Sequence, residues 1–214
     1  MTEILKNIGS EALNLLVYFV TVALLQNIVL TTGFGTTVML HIVRSPKNIW
    51  LFGGILTVFS TLTALITFPL DGLLGTAVTN LFRPLMVIAI TAVLYCLITA
   101  LLRWKFKTFY ARVQRMLPIA AFNNLVIGVV LIAGAQSDAG LGGMLGLTIG
   151  SSLGFTLLTW LTAEGIERLD NPDMPESFRG MPATLIYISL LALALMDFTS
   201  TSFLTNFLAS FSLT

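Results

Sequence analysis

The stretch LQNIVLTTGFGTT, residues 25–37, decides how this chain can fold. It continues a long apolar run, carries two amide side chains inside that run, and then brings two glycines and four threonines within seven residues. Glycine and β-branched residues both weaken a helix. We therefore expect an apolar helix that is interrupted here. The candidate site residues at this interruption are Gln26, Asn27, Thr31, Thr32, Gly33 and Gly35.

Around this stretch the chain has the composition of a membrane protein. Of 214 residues, 56% are hydrophobic and 10% are charged, against about 25% charged in a soluble domain. A bilayer core needs about 20 apolar residues per helix. Six stretches qualify, at 13–43, 51–70, 84–102, 117–135, 141–161 and 182–198. The connections are short, so the sequence predicts an all-α integral membrane protein with one transmembrane domain over residues 1–214.

Basic residues predict the orientation. Nine of the 11 lysines and arginines lie in the connections after the first, third and fifth stretches, and only Lys6 and Arg83 lie on the other side. Basic loops stay in the cytoplasm. This predicts a multi-pass protein with both termini outside. Arg83 opens the third helix, where we expect it to anchor the helix at the membrane surface.

The two halves of the chain echo each other. Residues 26–30, QNIVL, match residues 123–127, NNLVI, at an offset of 97, and Phe82-Arg83 matches Phe178-Arg179 at 96. Nearly equal offsets favour two pseudo-repeats, at about 11–102 and 115–208. Each holds three helices, so the second must enter the membrane from the opposite face. The sequence thus predicts six transmembrane helices as an inverted 3+3 repeat with broken first and fourth helices.

The second break is expected around Asn123 and Asn124, which follow Pro118 and precede Gly128. Inverted repeats place two such breaks face to face near the middle of the membrane. Backbone groups freed there must be buried in protein or line a cavity. Amides and helix ends together then form a polar centre for an ion or a substrate group. The alternative is that the amides only bond between helices and the glycines only allow close packing.

Three stretches carry a resemblance to a known family. They are LQNIVL at 25–30, LPI at 117–119 with Asn123, and ERL at 167–169 with PESFRG at 175–180. With this order and spacing, the chain resembles the Rnf/Nqr membrane subunits, most closely the A subunit of Rnf complexes and the E subunit of sodium-pumping quinone reductases. The resemblance implies a membrane subunit of a redox-driven, ion-translocating electron transport complex in the bacterial or archaeal cell inner membrane. It also implies Na⁺ or H⁺ as the ion, and membrane, flavin and iron–sulfur subunits as partners.

The chain departs from this family at its cysteines. In the family, cysteines at both helix breaks hold an iron–sulfur cluster, and the corresponding positions here are Thr37 and Asn124. Hydroxyl and amide groups are not the thiolate ligands that such a cluster needs. Cys96, the single cysteine, is expected to be a buried apolar residue of the third helix. We expect no metal site and no cofactor in this chain, so that a cluster would belong to a paralogous or partner subunit.

Two functions remain open from the sequence. One is a cluster-less subunit of a redox complex, and the other is a stand-alone or homodimeric transporter of small ions or solutes on the same scaffold. No phosphate loop, nucleophile–histidine pairing or nucleic-acid-binding surface is present, so we assign no catalytic residue and leave open whether the chain is part of an enzyme. Thr148, Ser151, Ser152 and Thr156 share a helical spacing in the fifth stretch, and we expect them to bond to other helices.

Overall fold

A computed structural model describes residues 2–25, 27–43, 48–74, 76–135, 140–169 and 175–196. All regular secondary structure in these ranges is helical, without a strand. The first predicted stretch forms four pieces: α1 (Thr2–Val20), a π-helical turn (Thr21–Leu25), α2 (Ile28–Thr32) and α3 (Thr36–Ile42). The predicted all-α class is therefore confirmed.

The remaining helices follow the other predicted stretches. They are α4 (Ile49–Leu74), α5 (Thr76–Lys105), the short α6 (Lys107–Val113), α7 (Leu117–Ala121), α8 (Asn124–Ala135), α9 (Gly140–Leu169) and α10 (Met181–Met196). A short 3₁₀ turn, Glu176–Phe178, precedes α10. The predicted end of the sixth stretch, at residue 198, lies outside the described residues.

Four helical segments are long and apolar enough to cross a membrane. They are Ile49–Asp71, Phe82–Lys105, Leu117–Ala135 and Gly140–Arg168, and Gly9–Ala23 and Met181–Ala194 are shorter apolar helices. The exposed surface of α5 is itself apolar, with Leu85 at 67% and Leu97 at 61% exposure. A surface of this kind suits contact with lipid. The chain is thus a multi-pass membrane protein.

Two helices extend beyond the predicted apolar stretches. The third helix begins at Thr76, not at Pro84, so that proline lies inside α5. The fifth helix runs on to Leu169, because good helix formers such as Ala163 and Glu164 continue it beyond the apolar run. Hydrophobicity marks where a helix meets lipid, and it does not mark where the helix ends.

A stripe of four glycines on α9 fixes the position of the first helix. Gly142, Gly146, Gly150 and Gly154 recur every fourth residue, so they share one face of α9. A methyl group added to any of them would press against a main-chain carbonyl of Glu11, Leu15, Phe19 or Ala23, respectively. The backbones of α1 and α9 therefore lie against each other in a fixed register, as small residues allow in membranes.

Candidate functional site

The first break is organised by Asn27, which is 6% exposed. Its Oδ1 accepts a hydrogen bond from the backbone N–H of Val29 at 3.0 Å, and it thereby caps the start of α2. Its Nδ2 donates to the carbonyl oxygen of Gly154 in α9 at 2.9 Å. The residues that lie on the glycine stripe, Glu11, Leu15, Phe19 and Ala23, recur every fourth position, and Asn27 is the next residue at this spacing. The amide is thus satisfied at both ends.

Two glycines then turn the chain between α2 and α3. Gly33 has φ of 74° and Gly35 has φ of 81°, the left-handed region that favours glycine. The N–H of Gly33 closes α2 on the carbonyl of Val29 at 2.9 Å. The hydroxyls of Thr31 and Thr32 donate to main-chain carbonyls within this first break, and both threonines are exposed. Gln26 lies outside the described residues.

The second break repeats the cap of the first. α7 ends at Ala121 and α8 begins at Asn124, and Oδ1 of Asn123 between them accepts from the N–H of Leu125 at 3.1 Å. Asn123 is 1% exposed. Its Nδ2 has no hydrogen-bond partner within the part of the chain that the structure describes. Asn123 thus caps its helix as Asn27 does, but its donor remains unused.

The loop of the first break lies against the helix that follows the second. The ring of Phe34 lies where a side chain at Gly128 of α8 would be. A methyl group on Gly35 would be 3.3 Å from Leu125 of α8 and 3.1 Å from the ring of Phe155 in α9. The structure therefore places the loop at Phe34 and Gly35 against Gly128 and Leu125 of α8. The side chains of the other candidate residues, Thr31, Thr32, Thr37 and Asn124, are exposed.

Hydroxyl groups are buried between the long helices, and the sequence pointed to only part of this set. Ser152 of α9 contacts Ser60 of α4, with 2.8 Å between the two Oγ atoms. Thr63 of α4 faces Thr91 of α5 at 3.4 Å. Of the four hydroxyls expected to bond to other helices, only Ser152 has such a bond here. The other three, Thr148, Ser151 and Thr156, donate to carbonyls of α9 itself.

We expected Arg83 to anchor its helix at the membrane surface. The structure shows that it also forms an ion pair with Asp71 near the end of α4. Their side chains are 13% and 21% exposed. The guanidinium lies over Gly134 of α8, where a methyl group would overlap it. The signal for this pair was available in the sequence, since Asp71 is an acid at the end of an apolar stretch and Arg83 follows 12 residues later.

Glu11 is a second acid to which the sequence alone gave no role. Its Oε2 accepts a hydrogen bond from the backbone N–H of Gly142 at 2.5 Å, in the first turn of α9. A carboxylate there accepts a hydrogen bond from a free N–H and interacts favourably with the positive end of the helix dipole. Glu11 therefore holds the start of the glycine stripe against α1.

Comparison with known proteins identifies the family. The family model described as "Rnf-Nqr subunit, membrane protein" matches residues 15–202, most of the chain. The chain belongs to the Rnf-Nqr family. The resemblance seen in the sequence is thereby confirmed.

Relatives of this Rnf-Nqr chain share one description. The A subunit of the "Ion-translocating oxidoreductase complex" from Aromatoleum aromaticum is 31% identical over 175 residues, 81% of this chain and 90% of that protein. The protein of the same description from Alcanivorax borkumensis is 39% identical over 82 residues, which cover 38% of this chain and 42% of the relative. The A subunit of the "Na(+)-translocating ferredoxin:NAD(+) oxidoreductase complex" from Acetobacterium woodii is 25% identical over 187 residues, 87% of this chain and 97% of that protein.

The residues of this Rnf-Nqr chain do not fit an iron–sulfur cluster at the breaks. Thr37 in the first turn of α3 and Asn124 at the start of α8 are both exposed and offer a hydroxyl and an amide, not thiolates. Among the described residues, no three histidine, cysteine or acidic side chains come together to hold a metal ion. Cys96, expected to be buried, is exposed on α5.

Proposed function

We propose that this Rnf-Nqr chain is a membrane subunit of an ion-translocating oxidoreductase complex. The observation that carries the proposal is the family match over residues 15–202, together with relatives aligned over nine-tenths or more of their length that are described as the A subunits of such complexes. A stand-alone or homodimeric transporter is not favoured, because those relatives are parts of multi-subunit complexes.

We propose the inverted 3+3 repeat of six spans as its architecture. The two caps support it, since Asn27 and Asn123 each bond to the N–H two residues further on and lie 96 positions apart. The same offset separates Arg83 from Arg179. The distribution of basic residues supports an orientation with both termini outside, and membership of the family supports a bacterial or archaeal inner membrane.

The two breaks form the central polar site in this proposal. The side-chain oxygens of Asn27 and Asn123 each use one lone pair to accept a bond from the helix that they cap. Nδ2 of Asn123 is a buried donor without a hydrogen-bond partner among the described residues. Such a donor calls for an acceptor, such as a water molecule or an oxygen of a passing group. The chain itself carries no cluster in this proposal, and flavin and iron–sulfur subunits supply the electron carriers.

Purification from native membranes tests the proposal. An affinity tag on the chain should recover flavin- and iron–sulfur-bearing subunits in fixed stoichiometry, and recovery should be lost when the membranes are solubilised in a denaturing detergent. A chain recovered alone or only with copies of itself, under mild conditions that preserve other membrane complexes, would contradict the proposal and return the transporter to first place.

A further inference from the structure

The connection between α5 and α7 is the most basic part of the chain. We call residues 103–115 the basic connection, and its five basic residues are Arg103, Lys105, Lys107, Arg112 and Arg115. No acidic residue occurs in the sequence between Asp71 and Asp138. All five basic side chains are exposed, and none forms an ion pair among the described residues. The basic connection therefore presents positive charges that the described part of the chain does not neutralise.

The backbone holds the basic connection at the ends of two apolar spans. It joins Phe82–Lys105 to Leu117–Ala135, both long and apolar enough to cross a membrane. One residue, Phe106, separates α5 from α6, and the N–H of Tyr110 bonds to its carbonyl at 2.9 Å. The 7 residues of α6, at 1.5 Å each, span about 10 Å. Because both of its ends are span ends, a connection this short stays close to the lipid headgroups.

The short helix α6 is fixed to the protein along one face and exposed along the other. Val113 is fully buried and Tyr110 is half-buried. The guanidinium of Arg103, near the end of α5, lies 5.4 Å from the centre of the Tyr110 ring, a cation–π contact that holds the two helices together. Phe109 and Arg112 are exposed and are three residues apart, so they lie on one side of α6. A fixed helix thus turns an aromatic and a basic side chain outward together.

Aromatic side chains accompany the positive charges throughout the basic connection. Trp104 is 83% exposed, and Phe106 and Phe109 are exposed as well. Rings of this kind are unfavourable in water, whereas aromatic and basic side chains together suit the boundary between headgroups and acyl chains. An acidic soluble protein would complement the charges alone. An anionic lipid complements both features, because its phosphate meets the charges and its acyl chains meet the rings.

We propose that the basic connection binds the phosphate headgroups of anionic phospholipids, such as phosphatidylglycerol, in preference to zwitterionic lipids. Lys105 and Lys107 lie on either side of Phe106 and supply the charge next to Trp104, and Arg112 extends it along α6. Because the preference is electrostatic, salt weakens it. The inference goes beyond the proposed function and does not require an oxidoreductase complex. It uses the proposed orientation only to name the cytoplasmic leaflet as the one concerned.

Quenching of tryptophan fluorescence by brominated lipids measures this preference. The full chain has three tryptophans, so Trp50→Phe and Trp160→Phe together leave Trp104 as the reporter. The chain is reconstituted in phosphatidylcholine vesicles with increasing fractions of brominated phosphatidylglycerol or brominated phosphatidylcholine. Both leaflets have the same composition, so the orientation of the chain does not affect the result. Brominated phosphatidylglycerol should reach half-maximal quenching at a mole fraction about fivefold lower, and about 0.5 M salt should remove most of this difference.

A matched pair of double variants separates a site from a general attraction of positive charge to the lipid. Lys105→Gln with Lys107→Gln should lower the preference to less than about twofold. Arg44→Gln with Lys47→Gln removes the same charge from the same predicted side and should keep the wild-type preference. Gel filtration in detergent checks that each variant is folded. Equal loss in both double variants, no preference in the reporter chain, or a preference that survives salt would each overturn the proposal.

A photoreactive group in native membranes tests the competing occupant, which is an acidic protein. Benzoylphenylalanine is incorporated in place of Phe109, on the exposed side of α6. Irradiation should give an adduct with phospholipid, detected by mass spectrometry of the purified chain. A cross-link to another protein in place of lipid would overturn the assignment. Neither measurement requires electron transfer, so a chain that is recovered without other subunits would contradict the proposed function while the lipid preference still stands.

Discussion

The two helix breaks have the same cap but different surroundings. Asn27 and Asn123 each hold the start of a half-helix through Oδ1. Asn27 is also fixed to Gly154 through its Nδ2, whereas Nδ2 of Asn123 is buried without a partner among the described residues. The first break is backed by the glycine stripe of α9. The same capping residue thus gives one amide whose Nδ2 is bonded to a neighbouring helix and one amide whose Nδ2 is unpaired among the described residues.

The largest effect is expected when the support of the first break is removed. In Gly142→Ala the new methyl group would overlap the carbonyl of Glu11, which belongs to the backbone and cannot turn aside. Overpacking of this kind costs about 1–3 kcal/mol. We expect that loss in the free energy of unfolding in detergent micelles. Gly54→Ala is the control, since a methyl group there meets nothing within 4 Å; equal losses in both variants would mean that α1 does not rest on the stripe.

Exchanging each amide for leucine compares the breaks directly. Asn27→Leu loses a cap, worth about 1 kcal/mol, and also leaves the carbonyl of Gly154 without its side-chain donor, which adds about 1 kcal/mol. Asn123→Leu loses the cap but also removes an unpaired buried donor, so we expect a smaller destabilisation. The measurement is again unfolding in micelles. If Asn123→Leu is the more destabilising, the spare donor has a partner that supports the fold.

For the coupling of ion uptake to electron transfer, we expect Asn123→Leu to have a larger effect than Asn27→Leu. Replacing Asn123 with leucine is expected to abolish coupling of ion uptake to electron transfer while membrane insertion stays intact, because it removes the spare donor of the central site. The measurement is the amount of ion taken up per electron transferred, in inverted native membrane vesicles that contain the assembled complex. Unchanged coupling in Asn123→Leu and in Asn27→Leu would reduce both amides to helix packing.

A milder exchange separates the cap from the donor. Asn123→Ser replaces the carboxamide by a hydroxyl, whose oxygen can still cap α8 while Nδ2 is lost, so stability should change by less than about 0.5 kcal/mol. Asn27→Ser should cost about 1 kcal/mol, because it loses the bond to Gly154. Thermal unfolding of the two variants side by side gives the comparison. A similar cost at both positions would mean that the two breaks are equivalent after all.

The smallest expected effect is in the iron content of the separated chain. Because Thr37 and Asn124 replace thiolate ligands, the chain purified without partners should contain no stoichiometric iron and show no cluster absorbance in the visible range. Elemental analysis and an absorption spectrum suffice. Iron bound in a fixed ratio to the separated chain would show that other residues ligate a cluster.

The sequence was most informative where polarity and backbone freedom coincide. The interruption between α7 and α8 lies inside the predicted stretch 117–135, whose outer bounds match the structure, because Asn123 supplies a cap that apolar neighbours cannot. The glycines at 33 and 35 likewise indicated their turn. In contrast, the sequence match at an offset of 97 aligned Gln26 with Asn123. In the structure the two capping residues are Asn27 and Asn123, which are 96 positions apart. A biased apolar composition permits such slips of one residue.

The remaining features depend on which faces of the helices meet. Nothing in the local sequence says that Ser60 meets Ser152, since these residues are 92 positions apart. The glycine stripe was visible as a spacing, but its partner α1 was not. Exposure of Cys96 was misjudged because an apolar helix can turn a small residue to lipid as readily as to protein.

The glycine stripe also has a consequence for how the chain is made. Glu11 leaves the ribosome 131 residues before its partner Gly142. At about 5–20 residues per second, α1 waits roughly 7–26 s in the membrane before the surface it fits exists. α1 is therefore locked in place only after α9 has been made, and a fault in α9 would leave α1 without the surface that it fits.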